Sequence, residues 1–148
     1  MMKQILNPHT TNTIKDFSIL FIRIAVGLLL LAHGYPKLQA LLSGEPVQFA
    51  SIMGMSATVS LTFAMLAEFL CVLLVMVGSF TRLAALFIVL EMLVIVFYVH
   101  GDDPITKREL PILYLVTYIF ILFMGPGIHS IDFILHRKFY GRRRISYN

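Results

Sequence analysis

Four long apolar stretches divide the chain, and each carries very few charges. They cover residues 17–38, 57–80, 82–99 and 109–124. An α-helix needs roughly 20 mostly apolar residues to cross the hydrocarbon core of a bilayer. Inside lipid the backbone must satisfy its own hydrogen bonds, so segments of this kind are helices. Composition agrees. Apolar residues make up 58% and charged residues 14%, with a mean hydropathy of +0.84. A soluble domain has about 45–50% apolar and about 25% charged residues. The expected fold class is therefore all-α: an integral membrane four-helix transmembrane bundle, one domain over residues 1–148. Residues 1–16 are polar and lack the pattern of a signal peptide, so the first apolar run is read as a span.

The links between stretches are short and rich in turn residues. Ser43, Gly44, Glu45 and Pro46 mark the first loop. Gly78-Ser79-Phe80-Thr81-Arg82 joins spans two and three tightly, so these should be antiparallel neighbours. Gly101-Asp102-Asp103-Pro104 ends span three, Thr106 is placed to cap span four, and Gly125-Pro126-Gly127 stops it.

Charge sets the expected orientation. Lys3, Lys15, Arg82 and a basic tail (residues 136–148) with Arg137, Lys138, Arg142, Arg143 and Arg144 lie on one side. Lys37, Lys107 and Arg108 lie on the other, balanced by Glu45, Asp102, Asp103 and Glu109. The positive-inside rule makes the first side cytoplasmic and gives an N-in/C-in protein of the cell (inner or plasma) membrane. Beside hydrophobic spans, the basic tail reads as an anchor at the anionic lipid surface rather than a nucleic-acid site. The single cysteine, Cys71, excludes an intramolecular disulfide and a CxxC motif.

A charge inside a span costs roughly 2.5–3.5 kcal/mol at the helix centre on insertion scales, so it must face the bundle or a wet cavity. Arg23, Glu68 and Glu91 are such residues, with His33 and Lys37 further along span one. At about 100° per residue, Arg23, Gly27, His33, Gly34 and Lys37 share an arc of about 120°. Span one thus has one polar-and-glycine face, and glycine there admits a close backbone neighbour. Ala57, Ser60, Ala64 and Cys71 form a small-residue face beside Glu68. Glu91 and Tyr98 share a face on an ideal helix.

Two expectations follow. Arg23 and Glu91, judged to lie at similar depth, are expected to form a structural ion pair. His33, Lys37, Glu68, His100 and Glu109 are expected to form a ligand-binding polar cluster opening towards the outer half. A carboxyl buried in a span handles protons, and histidine titrates near neutral pH. Such a cluster suits a quinone, whose carbonyls need donors and whose reduction consumes protons. No haem, flavin or metal motif accompanies it.

The ordered motifs also resemble the DoxX family (DoxX/DoxD-like) of small four-span bacterial membrane proteins. The likeness rests on Arg23-Ile24-Ala25-Val26-Gly27, His33-Gly34-Tyr35-Pro36-Lys37-Leu38, Glu68, Gly78-Ser79-Phe80-Thr81-Arg82-Leu83-Ala84-Ala85 and His100. It continues through Glu109, Gly125-Pro126-Gly127, Ser130 and Asp132. The resemblance implies a four-helix membrane bundle and a link to quinone chemistry, through respiratory electron transfer or oxidative and quinone stress. It supplies no agreed catalytic residues. The resulting expectation is a quinone-binding or redox-associated membrane subunit; if an enzyme, it is an oxidoreductase subunit that takes electrons from a partner. The alternatives are a scaffold that recruits a soluble redox partner to the basic tail, and a small transporter built as a homo-oligomer.

Overall fold

The computed structural model describes residues 12–140. Arg142, Arg143 and Arg144 of the basic tail, and Lys3, lie outside the described residues. Among the described residues five helices follow one another: α1 (Asn12–Leu42), α2 (Ala57–Val77), α3 (Thr81–Val99), α4 (Ile105–Met124) and α5 (Ile131–Tyr140). Three of them are long and apolar enough to cross a membrane: Thr13–Leu42, Ala57–Val77 and Thr81–Val99. α4 is 20 residues long, but Lys107, Arg108 and Glu109 occupy its opening turns.

α1 packs antiparallel along α2, and α3 packs on both α2 and α4. Leu30, Val72, Val75, Ala85, Ile88 and Ile121 interlock at the centre, each almost wholly buried. The outside is equally apolar. Phe21, Leu29, Phe63, Phe87, Leu113 and Phe123 are all more than half exposed. Water would penalise such a girdle, whereas lipid accepts it.

Two sequence expectations change at the helix ends. α2 stops at Val77, because Gly78 adopts a left-handed φ of 74° and closes the helix onto the Leu74 and Val75 carbonyls. Phe80, expected inside span two, also sits at positive φ (48°) and opens α3. Asp132 holds that turn: its carboxylate accepts from the Phe80 N–H (2.8 Å), the Thr81 N–H (2.9 Å) and the Thr81 hydroxyl (2.9 Å). In return the Asp132 N–H donates to the Gly78 carbonyl. Thr106 does not cap α4, which begins at Ile105 after Pro104, so Thr106 falls within the first turn. Residues 131–140 form a helix where only a basic tail was expected.

Both α2 and α3 contain a π-helical turn, at Leu66–Cys71 and Ile95–Val99. A π turn inserts one residue and rotates everything beyond it by about 100°. Tyr98 lies within the second of these turns, and it is 58% exposed while the Glu91 carboxyl oxygens are buried, although an ideal helix would align them.

Candidate functional site

The site begins with Gly34. A Cβ added there would lie 2.5 Å from the Glu68 carbonyl carbon and 2.8 Å from the Phe69 nitrogen. No side chain fits, so the α1 backbone lies directly on the π-helical turn of α2. One turn further along α1, the Lys37 ammonium forms an ion pair with the Glu68 carboxylate. The Glu68 side chain is 4% exposed and that of Lys37 20%. The stem of Lys37 thus reaches inward from the bundle edge, and its charge meets its partner inside. π turns often occur at functional sites because they redirect a side chain; here the turn carries Glu68.

Other polar groups gather at this level. The His33 ring packs edge-on against Tyr114 of α4, with centroids 6.2 Å apart. Tyr114 and Glu91 both lie within electrostatic reach of Glu68, and Glu91 is also within reach of Lys37. Tyr118, one turn beyond Tyr114, is fully buried, and its hydroxyl has no hydrogen-bond partner. The two Glu91 carboxyl oxygens are likewise shielded and unpartnered. Buried hydroxyls and carboxyls are nearly always hydrogen-bonded, so groups without a partner among the described residues call for one from outside them: a water, an ion or a ligand. Together His33, Lys37, Glu68, Glu91 and Tyr114 form a polar layer halfway along the bundle.

Arg23 does not belong to that layer, and the expected Arg23–Glu91 ion pair is not formed. The guanidinium is 1% exposed and lies at the other end of the bundle. Its Nε donates to the Val75 carbonyl (2.8 Å) and its Nη2 to the Met76 carbonyl (2.8 Å). Its Nη1 donates to the Pro126 carbonyl and, at 3.4 Å, to that of His129. The counter-charge acting on it is Asp132. Arg23 therefore caps the last turn of α2, giving the Met76 carbonyl a partner and the Val75 carbonyl a second one beside the Gly78 N–H, at the negative end of the helix dipole. The same side chain ties that turn to the Gly125-Pro126-Gly127 loop. Gly78 must be glycine here too, since a Cβ would lie 2.6 Å from the Arg23 guanidinium and 2.5 Å from Ser130 Cβ.

The five expected cluster residues therefore separate. Lys37 and Glu68 pair, and His33 joins through Tyr114. His100 instead bonds Asp103 (2.8 Å), which Lys107 also contacts (3.0 Å), in a small triad at the mouth of the α3–α4 loop. Those contacts hold the Asp103 carboxyl below its ordinary value, the His100 hydrogen bond contributing most. Glu109 is exposed on the opening turns of α4. Glu91, Tyr114 and Tyr118 were missing from the expected ligand set. The tyrosine pair was visible as an i, i+4 repeat in an otherwise apolar span.

At the Arg23 end an open cleft of about 610 Å³ lies between α3, the 125–128 loop and α5. Phe80, Leu83 and Phe133 form its apolar walls, and Arg82 and His136 its basic groups.

The family model for DoxX matches residues 18–101, more than half of the chain. The chain belongs to the DoxX family. With its apolar helices, this makes it a multi-pass membrane protein. The match spans α1 to α3, including Arg23, His33, Lys37, Glu68 and Glu91; α4 and the 125–132 loop lie beyond it. No curated protein and no solved structure matches the chain.

Proposed function

We propose that this DoxX-family chain is a four-span protein of the cell membrane, N-in/C-in, that binds a quinone in its polar layer. It would act as a redox-associated membrane subunit supplied with electrons by a partner protein. The observation that carries this reading is the Lys37–Glu68 ion pair, set beside unpartnered polar groups in an apolar bundle. An ammonium, an imidazole and a tyrosyl hydroxyl are donors for quinone carbonyls, and a carboxylate accepts from quinol hydroxyls. An apolar ligand would approach the layer from the lipid that the exposed apolar girdle faces.

The topology reading rests on α4 and on the charges. Residues 110–124 of α4 are uncharged, and Lys107 and Arg108 can snorkel to the interface. Lys15, Arg82, Arg137 and Lys138 gather at the end that carries Gly78 and Gly125, which supports placing that end in the cytoplasm.

The test is quinone binding to detergent-purified protein, comparing wild type with Glu68→Gln and His33→Ala. Micromolar binding that weakens in both variants supports the reading. No binding by any of the three would leave the polar layer as a packing device. The cleft favours one second reading, a scaffold that seats a soluble redox partner against α5. In that case Arg82→Glu would release the partner without altering quinone binding.

A further inference from the structure

Glu68 lies ten residues before Gly78, and Glu91 eleven after Phe80. At about 1.5 Å per residue, both carboxyl groups sit about 15 Å of helix from the same turn. They therefore occupy one depth on antiparallel neighbours, and each is within electrostatic reach of the other. Lys37 is the cation that acts on Glu91, but its ammonium is already bonded to Glu68. From α1, Lys37 faces this centre, with His33 set against Tyr114. From α2 come Glu68 and Cys71, and from α4 Tyr114 and, behind it, Tyr118. One ammonium thus confronts two carboxyl groups. The Glu91 oxygens are shielded from the surface and meet no hydrogen-bond donor among the described residues. An uncompensated carboxylate is strongly disfavoured in such surroundings, and a neutral carboxyl is the form they tolerate.

We propose that Glu91 holds its proton at neutral pH and is the proton-carrying carboxyl of the polar layer, set beside the Lys37–Glu68 ion pair. The proposal rests on the polar layer being the functional site. It requires neither quinone nor electron flow, so it can fail separately.

Dicyclohexylcarbodiimide tests it directly. This apolar reagent takes up a protonated carboxyl group by addition across its C=N bond, the acid proton moving to nitrogen. The full chain in proteoliposomes is treated at neutral pH and mapped by peptide mass spectrometry. The expected adduct is on Glu91, at least about tenfold above the exposed Glu45 and Glu109. It disappears in Glu91→Gln and persists in Glu68→Gln. Infrared difference spectra cover the case in which the reagent cannot reach the site. They should show a protonated-carboxyl stretch that is lost in Glu91→Gln and kept in Glu68→Gln. Absence of that band, or labelling of Glu68 in place of Glu91, overturns the proposal. Loss of quinone binding with the band intact would overturn only the functional reading above.

Discussion

Gly34 and Gly27 lie on the same face of α1, two turns apart, yet substitution with alanine should have opposite effects. At Gly34 the new Cβ would meet backbone, 2.5 Å from the Glu68 carbonyl carbon. An ordinary contact starts near 3.4 Å, so α1 and α2 would have to separate by most of an ångström. Overpacking of this kind costs about 1–3 kcal/mol. Alanine recovers up to about 1 kcal/mol of helix propensity. The net expectation for Gly34→Ala is a loss of about 1–2 kcal/mol, with the Lys37–Glu68 pair pulled apart. At Gly27 the Cβ would meet the Met76 side chain, with its sulfur at 2.8 Å. Methionine has three rotatable bonds and can swing away. Gly27→Ala should therefore be neutral or stabilising by up to about 1 kcal/mol. Thermal denaturation in detergent reads the difference: at roughly 2–4 °C per kcal/mol, Gly34→Ala should melt several degrees below Gly27→Ala. Equal melting temperatures, or the reverse order, would refute the backbone contact that builds the site.

Three other variants and conditions probe the rest of the structure. Arg23→Lys should lower stability by about 2–3 kcal/mol in chemical denaturation, because one ammonium cannot reach the Val75, Met76 and Pro126 carbonyls together. Asp132→Asn weakens the clamp on the Phe80 and Thr81 N–H groups and should cost about 1 kcal/mol, read as faster hydrogen exchange at the start of α3. The depressed Asp103 carboxyl stabilises the His100–Lys107 loop above its unfolded value of 3.8, and that support is lost as pH falls through the lower folded value. Hydrogen exchange in residues 100–107 should therefore be steady at neutral pH and accelerate below about pH 4 relative to Asp103→Asn, which lacks the transition.

Much of the architecture could be read from charge and hydropathy alone, and the failures have identifiable causes. Glu68 stood out as a lone carboxyl in an apolar span, and the arc shared by Gly34 and Lys37 faces it in the structure. Arg23 was assigned a carboxylate partner because sequence displays side-chain charges and hides backbone acceptors. The end of α2 offers it carbonyls instead. That error removed Glu91 from the ligand set and concealed its unpartnered state. The π turns at Leu66–Cys71 and Ile95–Val99 were also invisible, since nothing in a local apolar pattern marks one extra residue per turn. Without them, Tyr98 was aligned with Glu91. His100 was assigned to the cluster on depth, but Asp103 lies three residues away and claims it. Tyr118 carries no formal charge, so the cost of burying its hydroxyl is not displayed by the sequence.

The proposed quinone would occupy the layer formed by His33, Lys37, Glu68, Glu91 and Tyr114. Photolabelling with an azidoquinone, followed by peptide mapping of the full chain in lipid, tests it most directly. The expected label falls on α1 around residues 33–37, on α2 around Glu68 and on α4 around Tyr114, competed by unmodified quinone and reduced in Glu68→Gln. Label confined to the Arg82–Phe133 cleft, or spread over the lipid-facing phenylalanines without competition, would contradict it.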